Sequence, residues 1–252
     1  MKKIIILLLI ANFAQAQLPA IISGRQLVAN YQTAGFLNCV TWIDAANKQC
    51  YPRTGTTITP LGNYGQANYI MTNGASYNSA GYFSFDGVND YLSCGDASPD
   101  MSVINISVQF WVKIKSNAAD QIFMSKYDGT TPDNGWLFYW DKTTTKFAVQ
   151  GRENSSVAIT CISDSLSPYN NWYNIAYTKT ANVWRIYVNG VLAKSVTGGT
   201  GTIAFGNNDV FVGAFKGPVF ANCDIAHLLF YRTAISATDV LYNYQITKNR
   251  FQ

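Results

Sequence analysis

Two residue types that commonly carry acid–base chemistry occur once each in this chain, as Glu153 and His227. Hydrolysis of a glycosidic bond ordinarily takes two carboxyl groups placed on either side of it. No acidic residue lies within a few positions of Glu153. Asp86, Asp90 and Asp96 sit among turn formers, where a short carboxylate caps its own backbone. A Ser-His-Asp or Cys-His arrangement would have to use His227, which lies in an alternating apolar run that reads as a packed strand. The sequence therefore reads as that of a non-enzyme.

Binding chemistry is better represented. Calcium takes six to eight oxygens, supplied by carboxylates, amides and backbone carbonyls. The run Asp128-Gly129-Thr130-Thr131-Pro132-Asp133-Asn134 offers such donors, as does Asn207-Asn208-Asp209, and neither has EF-hand spacing. A weak Ca2+ site with Asp128 and Asp133 as ligands is the expectation. Sugars take an aromatic face for stacking and polar groups for their hydroxyls. Trp136, Tyr139 and Trp140, followed by Gln150, Arg152, Glu153 and Asn154, could lie on neighbouring strands; Trp136, Tyr139, Trp140, Arg152 and Asn154 are the candidate ligand-binding set. Alternation puts Trp136, Phe138 and Trp140 on one face and Leu137 and Tyr139 on the other. Period two does not say which face is core, and core packing accounts for most aromatics of this kind. Trp42, Trp111, Trp172 and Trp184 read as core.

The elements that would position these residues are strands. Residues 39–44, 103–115, 121–126, 135–141, 146–151, 156–162, 172–178, 183–188, 191–193, 210–213 and 225–231 alternate or run apolar between turn signals. Ile104, Ile106, Val108, Phe110, Val112 and Ile114 fall on one face. Asn189-Gly190 joins two apolar runs as a type I′ hairpin turn, since both residues accept positive φ. Only the end reads as helix: Ser236 caps it, Asp239 follows three residues on, and Val240, Leu241 and Tyr244 share a face. Tyr82 to Leu92 reads as strand, tight loop, strand around Asp-Gly-Val-Asn-Asp. The array is that of an all-β, two-sheet antiparallel jelly-roll sandwich with a short C-terminal helix.

The first 16 residues combine Lys2-Lys3, an apolar run over 4–10 and Ala14-Gln15-Ala16, the layout of a secretory signal peptide cut before Gln17. The apolar run is too short to span a bilayer. Without it, basic residues fall from 18 to 16 against 14 acidic ones, so +4 becomes +2. No Lys/Arg stripe occurs, which argues against nucleic acid as a partner. Residues 17–80 read as a leader and irregular extension packing on the sandwich, and 81–252 as the jelly roll. Five cysteines then enter an oxidising compartment, where an odd number leaves one over. Cys39 and Cys50 are close enough in sequence to close a local loop.

Five segments in order carry a family resemblance: F-D-G-V-N-D-Y-L at 85–92, I-S-V-Q-F-W-V-K at 106–113, N-N-W-Y-N-I-A-Y-T at 170–178, W-R-I-Y-V-N-G-V at 184–191 and Y-R-T-A-I-S-A-T-D-V at 231–240. They resemble the laminin-G-like, concanavalin A-like jelly rolls. Upstream, W-I-D-A at 42–45, C-Y-P at 50–52 and G-T-T at 55–57 resemble an N-terminal extension of bacterial and phage members. The resemblance implies an extracellular sandwich that binds a glycan or an extracellular protein, with calcium as a possible cofactor. It also implies neighbouring first and last strands, which would bring Cys94 and Cys223 together. Related glucanases carry E-x-D-x-E on one strand, and this chain has no such motif. Where the family reads Gly-x-Ile-Asp-Glu before the last strand, this chain has Cys223-Asp224-Ile225-Ala226-His227. A structural role, as a virion or surface-layer decoration protein, is the alternative function, and a hydrolase with an aspartate-based site the third.

Overall fold

The computed structural model describes residues 39–62, 67–95, 105–127, 135–153, 157–164, 167–198, 209–215 and 219–252. In chain order the strands are β1 (Cys39–Ile43), β2 (Thr57–Ile58), β3 (Tyr69–Thr72), β4 (Ser76–Asn78), β5 (Tyr82–Asp86), β6 (Tyr91–Ser93), β7 (Ile106–Ile114), β8 (Gln121–Tyr127) and β9 (Gly135–Asp141). They continue as β10 (Lys146–Glu153), β11 (Val157–Ile162), β12 (Trp172–Thr180), β13 (Val183–Val188), β14 (Val191–Thr197), β15 (Phe211–Val212), β16 (Ala214–Phe215), β17 (Val219–Phe220) and β18 (Asn222–Tyr231). One helix, α1 (Ala237–Thr247), and a 3-10 turn at Lys248–Arg250 close the described chain.

Two antiparallel eight-stranded sheets face each other. One runs β14-β13-β12-β7-β18-β5-β4, with β1 also paired to β18; the other runs β11-β10-β9-β8-β15-β6-β3-β2. The expected sandwich is thus present. The stretch expected to be irregular before residue 80 supplies short strands to both sheets, too short for alternation to reveal.

The core lies between the sheets. Ile106, Val108, Phe110, Val112 and Ile114 point inward from β7, as their spacing predicts. Phe110 meets Phe123 of the opposite sheet at 5.7 Å, and Phe138 stacks on Tyr177 at 4.5 Å. Gly151 lies under the Trp184 ring: a Cβ there would stand 2.5 Å from it, so only glycine lets the indole cross between the sheets. Asn189 and Gly190 have φ of 51° and 79°, the I′ hairpin that their types predict.

The outward side of β7 is not solvent-facing along its whole length, because α1 covers it. Gln109 Nε2 donates to Asn174 Oδ1 (2.7 Å) and to the Val240 carbonyl (3.0 Å). Asn243 Nδ2 donates to Gln109 Oε1 (2.9 Å), and Trp111 Nε1 to Thr247 Oγ1 (2.8 Å). Ser236 and Asp239 form a full capping box at the helix start. The expected apolar face of Val240, Leu241 and Tyr244 gives way to a buried stripe of Val240, Asn243 and Thr247, with Leu241 exposed. The sheet beneath presents amides and an indole N–H, so the helix answers with polar side chains.

Strand β18 changes partner halfway along. Residues 222–225 pair with β5 and residues 228–231 with β1, while β7 follows the other side throughout. The register slips between Ala226 and Leu229, where His227 takes φ 49°. Among the described residues no helix is long and apolar enough to cross a membrane.

Candidate functional site

The structure separates the residues that the sequence grouped around Trp136. Trp136 and Trp140 face the core and are fully buried; Trp136 stacks on Phe138 and meets Phe230 of the opposite sheet, and Trp140 donates Nε1 to the Ser167 carbonyl at 3.0 Å. Neither presents a ring to a ligand, because the partners of that face lie on the opposing sheet. Tyr139 points the other way, half-buried, level with Ile122 and Ala148 on the flanking strands. Burial, reinforced by the charges of Asp141 and Asp120, pushes its hydroxyl up to about 12. Arg152 stands opposite Gly135 and Ala158, and Glu153 opposite Val157. Asn154, and the calcium candidates Asp128 and Asp133, lie outside the described residues. Among the described residues no three His, Cys, Asp or Glu side chains converge on a point that could hold a metal.

All five thiols are free and buried, so neither expected disulfide forms. Cys39 belongs to the small cluster beneath α1, on the outside of its sheet, and Cys50 to the core on the other side. Cys94 follows β6 in one sheet while Cys223 belongs to β18 in the other. β18 does neighbour β5, but the chain changes sheets at the 86–90 turn. Burial raises these thiols, Cys39 and Cys50 to about 12 and Cys94 to about 11, with Cys223 raised further still.

His227 is 3% exposed, edge-on to Trp42 at 6.1 Å. Burial lowers its pKa to about 4; the nearby Asp44 carboxylate opposes this and the Arg250 guanidinium adds to it. Arg250 grips Asp44 with two bonds, of 2.8 and 3.1 Å. A neutral, enclosed imidazole is interior packing. Asp86 and Asp90 serve their turn, as expected: Asp86 Oδ1 accepts the Val88 N–H at 2.8 Å, and Asp90 Oδ2 the Asp86 N–H at 3.1 Å.

A group that sequence reading did not assemble lies on the outer face of the β5-β18-β7-β12 sheet, beside the helix. Register places Ser84, Asp224, Lys113 and Trp172 in one row across four strands. Asp224 Oδ1 accepts the Ser84 hydroxyl at 2.7 Å and lies 3.2 Å from Lys115 Nζ, while Oδ2 lies 3.5 Å from Lys113 Nζ. Lys115 also donates to Ser84 Oγ at 2.8 Å. The Asp224 side chain is 4% exposed; those of Lys113 and Lys115 are 29% and 28% exposed. The carboxylate is the floor and the ammonium groups are the rim.

The row ends on aromatics. Lys113 Nζ stands 5.8 Å from the Trp172 ring centre, Tyr82 meets Trp172 edge-on at 5.4 Å, and Phe251 braces it at 4.9 Å. Trp172 is therefore half-buried on the surface and not in the core. Burial, then the Asp224 charge, raises the Tyr82 hydroxyl, with Lys115 opposing. Two signals in the sequence pointed this way: Lys113 lies in the polar phase of β7 with Lys115 just past its end, and Asp224 sits in the segment that departs from the family pattern. An aromatic ring edged by donors can stack on one face of a ring-shaped ligand and bond to its rim.

The same sandwich occurs in distant solved structures. Trypanosoma rangeli sialidase in complex with the inhibitor DANA superposes with a TM-score of 0.60 at 11% identity, over 82% of this chain and 32% of the sialidase. The binding domain of botulinum neurotoxin serotype D gives 0.64 at 14% identity, over 83% of this chain and 52% of the toxin domain. The chain thus spans about a third of the one and half of the other, and the likeness is one of fold. No curated protein matches the chain by sequence. A family model does, over residues 86–241, more than half of the chain. With the two-sheet topology and the landmark segments in place, the chain belongs to the concanavalin A-like lectin/glucanase superfamily, in its laminin G branch.

Proposed function

We propose that this protein is a secreted, non-catalytic recognition module that binds carbohydrate through the outer face around Trp172. The observation that carries this reading is the half-buried Trp172 ring, edged by Tyr82 and bordered by Lys113, Lys115 and Asp224. The superfamily supports it, and so does the secretory leader read at residues 1–16. A glycan array probed with the mature protein tests it. Binding is expected, and Trp172→Ala weakens it by about tenfold, roughly 1.4 kcal/mol, while the variant still unfolds in one cooperative transition well above the assay temperature. An array without signal for the wild type, or a Trp172→Ala variant that binds as before, sinks the reading.

Calcium at the 128–134 loop, held by Asp128 and Asp133, belongs to the same proposal. Calorimetry with millimolar calcium is expected to give heat that Asp128→Asn abolishes.

One observation favours the structural alternative. Leu192 (49% exposed) lies opposite Tyr187 on the helix side of its sheet, and the exposed Leu241 of the helix reaches the Gly190 turn that precedes it. A self-associating protein would use such a patch, and sedimentation would then give oligomers that Leu192→Lys dissolves.

A further inference from the structure

We propose that the C-terminal strap, residues 248–252, is a working part of the Trp172 face: Phe251 and Arg250 are positioning residues that hold the ring, and Asp44 is their anchor. This rests on the carbohydrate reading of that face. Phe251 meets two indoles, Trp172 at 4.9 Å and Trp111 at 4.8 Å. Trp111 is fully buried and tied through Nε1 to Thr247 at 2.8 Å, so Phe251 couples a surface ring to a fixed one. Gln252 adds a second tie. Its Nε2 donates to the Trp172 carbonyl at 3.3 Å, and its Oε1 accepts the Tyr244 hydroxyl at 2.9 Å.

Burial does not hold the strap in place, because none of its residues is buried. A segment with so little covered surface opens at small cost unless something else ties it. Arg250 is that tie. Its guanidinium lies 5.1 Å from the Phe251 ring centre and grips both oxygens of Asp44, 206 residues away in the chain, at 2.8 and 3.1 Å. Asp44 is buried just past β1, where its Oδ1 also accepts the Ala46 N–H at 3.1 Å. A two-pronged bond of this kind fixes orientation as well as distance. The contacts therefore run in series, from Asp44 to Arg250 to Phe251 to Trp172, and join the stretch before residue 80 to the candidate site. A platform ordered in advance leaves less freedom to be lost when a sugar stacks on it.

Acrylamide quenching of tryptophan emission reads the state of this ring directly. Of the six tryptophans, Trp42, Trp111, Trp136, Trp140 and Trp184 are buried, and Trp172 is half-buried at the surface. Phe251→Ala is expected to raise the quenching constant and Phe251→Tyr to keep it at the wild-type value. Asp44→Asn combined with Arg250→Gln removes the ion pair without leaving a buried charge unpaired, and is expected to raise the constant as well. Neither rise should occur in a Trp172→Phe background. On an array of neutral and acidic glycans, Phe251→Ala and the paired variant should each bind about fivefold more weakly than wild type. Both should still unfold in urea as one cooperative transition. A wild-type quenching constant in either variant, or a rise that Trp172→Phe leaves in place, overturns the strap's role. Glycan binding that both variants leave intact overturns it too, while the carbohydrate reading stands. An array silent for the wild type sinks the carbohydrate reading, and quenching alone then decides whether the strap holds the ring.

Discussion

At the scale of single residues, burial sets the chemistry of the titratable groups. The native His227 resists protonation down to about pH 4, whereas the unfolded chain takes up the proton near its ordinary value of 6.5. Below 6.5 the unfolded state therefore holds more protons, and stability falls as pH drops from 6.5 to 4, by about 3 kcal/mol in all. His227→Asn keeps a residue that accepts positive φ and removes the titration, so urea midpoints of this variant should stay flat across that window. Asp44 behaves as a carboxylate held low: burial pushes it up, but the charges of Arg250 and His227 and the Arg250 hydrogen bonds outweigh that. Its contribution is lost only as pH falls below 3.8, and Arg250→Gln should remove that acid limb. Asp90 has the opposite sign. Burial, with the Asp86 charge, raises it, so the native state keeps a proton above 3.8 and ionisation weakens the fold as pH rises. Asp90→Asn should accordingly raise the melting temperature at pH 7, an advantage that shrinks in acid; a lower melting temperature at pH 7 would show that the carboxylate is needed ionised.

Among the elements, α1 is held by polar contacts more than by apolar ones. Its stripe of Val240, Asn243 and Thr247 meets Gln109 and Trp111 of β7, and Asn243 also reaches the Tyr231 hydroxyl at 3.2 Å. Asn243→Ala leaves Gln109 Oε1 buried without its donor, a loss of about 1–3 kcal/mol. Ser236→Ala breaks the capping box at a cost of about 1 kcal/mol. Chemical denaturation followed by tryptophan fluorescence measures both, and the Asn243 change should be the larger. The helix itself was legible in sequence through Ser236 and Asp239. Its buried face was not, since Asn243 and Thr247 look like solvent-facing residues until Gln109 and Trp111 are seen beneath them. The inward phase of β7 was plain from period two, whereas in β9 the same rule gave two faces and no choice between them. Tyr177 and Phe230, on strands of the other sheet, make that choice.

For the whole molecule, the sandwich could be read from ordered landmarks, but the candidate site could not. Ser84 and Asp224 are 140 residues apart and meet only through the pairing of β5 with β18. Trp172 reached the surface because β12 starts beside the uncovered end of the sheet, a fact of register and not of residue type. That same pairing governs assembly. β18 touches β7, β5 and β1, strands drawn from well before it in the chain. Until residues 222–231 arrive, β7 has no neighbour on that side and β1 has nowhere to go. Most of the sheet's closure is thus non-local, and such topologies fold in milliseconds to seconds. Refolding should be slow for a domain of this size, and Leu229→Ala, in the middle of β18, should retard folding as well as hasten unfolding. A sheet whose keystone strand follows all of its neighbours in the chain stays unfinished until residues 222–231 emerge, and up to that point the strands before it remain threadable.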